Sequence, residues 1–206
     1  KYVQDDMNNV VIYKPATPGY ENAPTVILQG HMDMVCAKCP EIEHDFTKDG
    51  LKLVVKDGFL SAEGTTLGGD DGIAVAYGLA LLDSTDLPHP TLEVVFTVDE
   101  ETGLLGADGF DCSLLKGRRM INLDSEKEGC LWVSCAGGVA GNSYLPVRRV
   151  DASGRKVNVK VCGLVGGHSG AEIHKNRASA NILMGQFLYE LSHVCGYALK
   201  ELEGGQ

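Results

Sequence analysis

Histidine and carboxylate side chains follow three apolar runs of the sequence, at the point where each run ends. They are His31 and Asp33 after residues 24–30, Glu100 and Glu101 after residues 91–98, and Asp124 after residues 119–123. In open α/β sheets, ligands and catalytic groups gather beyond the carboxyl ends of the strands. One imidazole and several carboxylates at a single edge would suit Zn²⁺ or a similar divalent ion.

Asp70 has a different setting, because it follows the flexible run 65–69 and precedes an apolar segment at 72–82.

Taken singly, each of these candidate residues has a simpler explanation. A lone histidine after a strand is usually a polar cap, and an Asp-Asp pair before a helix is most often an N-cap. Paired glutamates can be a solvated strand end. The shared position of the candidates at one end of a sheet favours a chemical role.

The elements that would position these side chains alternate between strands and a helix. Short apolar runs rich in β-branched residues predict buried strands at 24–30, 91–98 and 119–123. Residues 51–62 alternate around Asp57-Gly58, which predicts a β-hairpin. Residues 72–82 are small and apolar without a breaker, which predicts a buried helix. This order indicates an α/β sheet with helical layers.

The pattern changes at Gly137. Residues 144–150 and 156–162 alternate as strands of a half-exposed antiparallel sheet, and residues 177–195 carry apolar side chains at helical spacing. These elements would begin a small α+β domain that remains incomplete. We therefore predict one domain over 1–136 and part of a second over 137–206. Because the chain starts at Lys1 without Met, we expect it to be a fragment or a processed chain.

The composition argues against two classes of partner. A net charge of −10 disfavours nucleic acid, since phosphate binding needs a basic face. A membrane role is unsupported, because no apolar run approaches the roughly 20 residues that span a bilayer. Seven cysteines, an odd number, fit reduced thiols in a cytoplasmic protein better than a disulfide framework. The pair Cys36-x-x-Cys39 lacks a second pair at the spacing of a structural zinc site.

Five segments of the sequence carry a family resemblance. In chain order they read VILQGHMDMV, GTTLGGDDGIA, TVDEETGLLGA, INLDSEKEG and GLVGGHSGAEIH. Together they closely resemble the aminoacyl-histidine dipeptidases, or cytosolic non-specific dipeptidases, among the co-catalytic zinc exopeptidases related to carnosinase and peptidase T. The resemblance implies a mixed-sheet metallopeptidase catalytic domain with helices on both faces over 1–136. It also implies that 137–206 begin an inserted α+β lid and dimerisation domain.

The resemblance implies a site for two divalent metal ions, zinc in the first place, with manganese or cobalt as alternatives. His31 would bind the first metal and Asp70 would bridge both. Glu101 would bind the second metal, and Asp124 would complete the ligands of the first. Asp33 would lie behind His31 and orient its ring, as histidine ligands commonly require.

The resemblance also assigns the catalytic groups. Glu100 would take a proton from the metal-activated water and deliver it to the leaving amine. Because side chains alternate along a strand, we expect Glu100 and Glu101 to point in different directions. His168 would stabilise the oxyanion of the tetrahedral intermediate, often from a partner subunit. The peptide bond between Asp70 and Asp71 is expected to be cis.

The implied activity is hydrolysis of dipeptides, including those with C-terminal His, by a cytoplasmic enzyme that forms a homodimer through its lid when full length. The alternatives are the same metal site acting on tripeptides or N-acyl amino acids, and a non-catalytic metal-binding module. The family's remaining ligand, a histidine near the C-terminus, is expected beyond residue 206. We therefore expect this chain alone to bind the first metal better than the second and to have little peptidase activity.

Overall fold

The computed structural model describes residues 1–125, 127–135, 137, 139, 141–167 and 172–205. The chain forms two compact units, Lys1–Cys130 and Leu131–Gln206. No helix in the described part of the chain is long and apolar enough to cross a membrane. The assignment of residues 1–136 and 137–206 to domains of different function stays a prediction.

The first unit contains all the strands that the structure describes. The strands are β1 (Tyr2–Gln4), β2 (Val10–Lys14), β3 (Val26–His31), β4 (Leu53–Lys56), β5 (Phe59–Ala62), β6 (Leu92–Thr97) and β7 (Arg119–Asn122). The helices of this unit are α1 (Gly69–Asp83) and α2 (Leu105–Asp108), with a 3₁₀ turn at Cys112–Leu114.

Five strands form one mixed sheet in the order β1-β2-β6-β3-β7. β3 is parallel to both β6 and β7, whereas β1 and β2 are antiparallel to their neighbours. The register pairs His31 with Thr97 and Gln29 with Asn122. The three parallel strands therefore end at one edge of the sheet, as the sequence predicted.

Apolar clusters form on both faces of the sheet. On one face α1 packs against Leu28, Val94 and Phe96. Gly78 permits this packing, because a Cβ there would lie 2.7 Å from the Phe96 ring. On the other face Val11, Ile27 and Val95 contact side chains from the segment 110–115. The mixed sheet with helical elements on both faces agrees with the predicted fold class.

The structure confirms one prediction about an individual element and corrects two others. The hairpin around Asp57-Gly58 is confirmed as β4 and β5. The third strand of the prediction, β7, is exposed rather than buried, because it lies at an edge of the sheet. The helix α1 is also less buried than predicted, since among its apolar side chains only Ala74 is buried. The small apolar residues indicated a helix buried on every side, but one side of α1 faces solvent.

The second unit contains a 3₁₀ turn at Ile173–Lys175 and a helix α3 at Ala180–Val194. The helix was predicted from its apolar spacing, and the Ser179 hydroxyl caps it by accepting a hydrogen bond from the amide of Ile182 at 3.4 Å. The predicted strands at 144–150 and 156–162 are wrong, because neither segment is paired as a strand. Alternation predicts two faces but does not supply a neighbouring strand.

A buried carboxylate near the start of β6 leads to a prediction about stability. Glu93 is 1 % exposed, and its oxygens accept hydrogen bonds from the amides of Lys116 and Gly117 at 2.9–3.1 Å. Glu93→Gln would turn an NH₂ group towards these N–H donors. We expect it to lower the free energy of unfolding by about 2 kcal/mol, measured by urea denaturation. The exposed Glu41→Gln is the control, and an equal effect there would contradict the prediction.

Candidate metal centre

His31 is the last residue of β3, and its side chain is almost completely buried at the carboxyl edge of the sheet. Gly30 lets the start of α1 approach this strand end closely. A Cβ at Gly30 would lie 2.3 Å from Ala74 Cβ and 2.4 Å from Asp71 Oδ2. The close approach brings the two aspartates that open α1 next to the imidazole.

The two adjacent aspartates have different tasks. Asp70 Oδ1 lies 3.2 Å from His31 Nε2. Asp71 is buried, and its carboxylate accepts hydrogen bonds from the backbone amides of His31 at 3.2 Å and Ala74 at 3.3 Å. Asp70 and Asp71 have non-helical φ and ψ values within α1. Asp71 accepts a hydrogen bond from the amide three residues on, as an N-cap does, and so caps the regular part of the helix that follows it. Asp70 instead reaches the imidazole. The peptide bond between them is cis, as the resemblance implied.

Asp33 connects the imidazole to the loop that follows β6. Its carboxylate accepts hydrogen bonds from the amides of Glu100 at 3.1 Å and Glu101 at 3.0 Å. His31 Nδ1 lies 3.4 Å from Asp33 Oδ1 and 2.9 Å from the Asp33 carbonyl oxygen. Asp33 thus contacts both the ring and the two glutamates, a wider role than the ring orientation that the resemblance implied.

Glu100 and Glu101 lie in a turn beyond β6 rather than in the strand itself. The strand premise of that expectation does not hold, because the backbone leaves the strand conformation at Asp99, whose φ is +53°. That the two side chains point in different directions stays a prediction. Glu100 Oε2 lies 3.9 Å from His31 Nε2. Both glutamates reach the same edge of the sheet.

Two overlapping groups of donor atoms could hold a divalent ion. The first is His31, Asp70 and Glu101, and the second is His31, Asp71 and Asp124; within each group the donor atoms lie within 4.8 Å of one another. One imidazole with carboxylates is a donor set that suits zinc, manganese and cobalt. All four predicted metal ligands occur in these groups.

Asp71 is the donor that the sequence interpretation missed as a ligand candidate. Its position directly after Asp70 was the only feature of the sequence that could have indicated a ligand, and an N-cap residue would occupy the same position. Each of its oxygens accepts one hydrogen bond from a backbone amide, which ties Asp71 to the end of β3 and to α1. A carboxylate oxygen can accept more than one contact, so Asp71 remains a candidate ligand beside Asp70.

The carboxylates around His31 favour its charged form. Burial opposes a charge on the imidazole, but the hydrogen bond that the imidazole makes to Asp70 and the charges of Asp124, Asp33 and Glu100 outweigh burial and raise the pKa of His31. A cluster with this excess of negative charge attracts a cation.

The surroundings shift the pKa values of Glu100 and Asp33 in opposite directions. Burial raises the pKa of Glu100, and the charges of Asp124, Glu101 and Asp33 add to it, against an opposing effect of His31. Burial also acts on Asp33, but the hydrogen bonds from the amides of Glu101 and Glu100 outweigh it and lower its pKa. A raised pKa makes Glu100 a better proton acceptor than an ordinary carboxylate, which suits a general base.

His168 lies outside the described residues. The seven cysteines are free thiols, in agreement with the prediction. Among the described residues, neither Cys36 nor Cys39 belongs to a group that could hold a metal.

The chain belongs to a known family of peptidases. Residues 27–135 match the model of peptidase family M20/M25/M40. This segment contains the donors of both groups and Glu100. Peptidases of this family depend on metal ions, in agreement with the chemistry of the donor atoms.

Individual relatives refine this assignment. The chain is 40% identical over 204 residues to the cytosol non-specific dipeptidase of Escherichia coli, covering 98% of this chain and 42% of that protein. The crystal structure of aminoacylhistidine dipeptidase from Vibrio alginolyticus aligns with a TM-score of 0.66 at 39% identity, covering 91% of this chain and 39% of that one.

A more distant match is a tripeptidase from Staphylococcus aureus, with a TM-score of 0.50 at 28% identity, covering 62% of this chain and 34% of that one. The chain thus spans about two fifths of the length of the dipeptidases that it matches.

Proposed function

We propose that the protein to which this chain belongs is a metal-dependent dipeptidase. The observation that carries the proposal is the convergence of His31, Asp70, Glu101 and Asp124 on one sheet edge, with Glu100 beside them. A binding site alone would not need an additional acid of raised pKa next to its ligands. This feature favours an enzyme over a non-catalytic metal-binding module.

Four residues would hold the metal ions. We propose His31 and Asp124 for the first ion, Asp70 as the bridge, and Glu101 for the second ion. When bound, two divalent ions polarise the scissile carbonyl and lower the pKa of water. We propose zinc for both ions, with manganese or cobalt as alternatives that the same donors accept.

The proton transfers fall to Glu100. Its carboxylate would accept a proton from the attacking water and then donate that proton to the leaving amine. Asp33 would hold the amides of Glu100 and Glu101, and with them the direction in which both side chains leave the backbone. We further propose that His168 stabilises the oxyanion, a role that rests on its motif GGHSG.

The substrate class rests on the relatives. Two of them are named dipeptidases, at 40% and 39% identity, whereas the tripeptidase is more distant at 28%. We therefore propose dipeptides, including those with C-terminal His, over tripeptides and N-acyl amino acids. We also propose a cytoplasmic homodimer in the full-length protein, with neither nucleic acid nor membrane as partner.

A substrate panel tests the proposal. The 206-residue chain and any longer protein containing it are loaded with Zn²⁺, and amino acid release is measured from Xaa-His dipeptides, other dipeptides, tripeptides and N-acetyl amino acids. We expect dipeptide hydrolysis in the longer protein and little in the chain alone. Preferred cleavage of N-acetyl amino acids would favour the alternative substrate class. Zinc binding by the longer protein without any hydrolysis would favour a binding module.

A further inference from the structure

The loop that carries Glu100 and Glu101 contains backbone conformations that residues other than glycine rarely adopt. It connects the end of β6 to α2, and two of its residues without a glycine's freedom, Asp99 and Leu104, have φ values of +53° and +63°. Such conformations persist when the surrounding structure over-determines them. Asp33 holds the tip of this loop through the amides of the two glutamates.

Asn9 holds both ends of the same loop. Its side chain, which is 0 % exposed, lies directly before β2. Its Oδ1 accepts a hydrogen bond from the amide of Val98 at 3.1 Å, and its Nδ2 donates to the carbonyl of Gly106 at 2.9 Å. One amide group therefore joins the residue after β6 to a residue of α2.

The orientation of the Asn9 amide is itself fixed. Asp5 accepts hydrogen bonds from Asn9 Nδ2 at 2.8 Å and from the Asn9 backbone amide at 2.9 Å. A carboxylate accepts hydrogen bonds and donates none, so the Asn9 amide must turn Nδ2 towards Asp5. This orientation leaves Oδ1 facing the amide of Val98. Gly106 allows the close approach, since a Cβ there would lie 2.1 Å from the Val98 oxygen and 2.7 Å from Asn9 Oδ1.

We propose that Asn9 is a positioning residue of the metal centre, which closes the loop 98–106 and so holds Glu101 in reach of a metal and Glu100 beside it. This inference deepens the proposed function, on which it rests. The amide side chain donates to Gly106 through Nδ2 and accepts from Val98 through Oδ1 at once. An aspartate would lose the donor, and an aliphatic side chain would lose both contacts.

The first measurement reports the stability of the loop 98–106 in metal-free protein. Hydrogen–deuterium exchange is compared for Asn9→Ala, for Gly106→Ala, which disturbs the same contact from the other side, and for the unmodified chain. We expect faster exchange in the loop 98–106 for both variants. The matched control is Lys14→Met at the other end of β2, where the ammonium group donates to the carbonyls of Leu81 and Ser84.

The second measurement is zinc affinity by chelator competition, with the visible spectrum of bound Co²⁺ as a signature of the ligand set. We expect Asn9→Ala and Gly106→Ala to weaken zinc binding about 10-fold, as changes behind the direct ligands commonly do. Their Co²⁺ spectra should change as well. Lys14→Met should lower thermal stability while leaving both the affinity and the spectrum unchanged.

The outcomes separate the two proposals. Unchanged exchange in the loop 98–106 of Asn9→Ala would overturn the positioning role, as would faster exchange with unaltered zinc affinity. Equal losses of zinc affinity in Lys14→Met would also overturn it, since general destabilisation would then explain the effect. Absence of zinc binding in the unmodified chain would instead contradict the proposed function, while the exchange measurement would still decide whether Asn9 holds the loop.

Discussion

Replacing Glu100 by Gln should lower dipeptide hydrolysis about 10³-fold, within the range that a general acid–base residue contributes. Gln has the shape of Glu but cannot accept a proton from water at neutral pH. The backbone amide of residue 100 would still donate to Asp33, so the loop should keep its conformation. The measurement is kcat on the preferred dipeptide, in the longest active protein that contains this chain.

The adjacent Glu101→Gln serves as the matched variant, because it changes the same chemical group one residue away. Glu101 belongs to a group of metal donors, whereas Glu100 belongs to neither group. We therefore expect Glu101→Gln to lower zinc affinity and Glu100→Gln to leave zinc content unchanged. Full turnover in Glu100→Gln, or loss of zinc there, would contradict the role of Glu100 as the base.

Replacing His31 by Ala should weaken zinc binding at least about 100-fold. Changes behind direct ligands already cost up to about 100-fold, and His31 takes part in both groups of donors. The substitution also removes the imidazole that lies 3.2–3.9 Å from carboxylate oxygens of Asp33, Asp70 and Glu100. The measurement is the zinc dissociation constant from competition with a fluorescent chelator.

A second buried histidine provides the control for this variant. His89 is 7 % exposed and precedes β6, so it lies at the end of that strand opposite to the one that His31 adjoins. His89 Nδ1 contacts the carbonyl of Pro90 at 2.7 Å. His89→Ala should lower stability without changing zinc affinity. Similar affinities for His31→Ala and the unmodified chain would show that the metal binds elsewhere.

The sequence predicted the convergence of the histidine and acidic side chains better than it predicted the packing around them. Residue types that bind metals follow apolar strands, and parallel strands bring their carboxyl ends to one edge. Those two facts place His31, Asp33 and Asp124 together. The position of Asp70 needed the family resemblance, because an acid before a helix is usually a cap.

The buried polar side chains of the first unit left little signal in the sequence. Asn9, Asp71 and Glu93 each hydrogen-bond to backbone groups of residues remote in the chain. Periodicity describes which face a residue occupies, and it says nothing about a carbonyl almost a hundred positions away. A lone Asn or Glu near or within a strand therefore looks like an ordinary surface residue.

Predictions also failed where a regular pattern was extended beyond its element. Glu100 and Glu101 were treated as a continuation of β6, but Asp99 already has a positive φ. The alternating segments at 144–150 and 156–162 lack paired strands for a related reason. Strand structure depends on a hydrogen-bonding neighbour, and local alternation carries no information about that neighbour.

X-ray absorption at the zinc edge tests the central claim most directly, because it reports the atoms bound to the metal in the loaded chain. Our account predicts a shell of nitrogen and oxygen only, at about 2.0–2.2 Å, with scattering from one imidazole that disappears in His31→Ala. Sulfur in the shell, at about 2.3 Å, would place the zinc on cysteines such as Cys36 and Cys39 and would contradict the account.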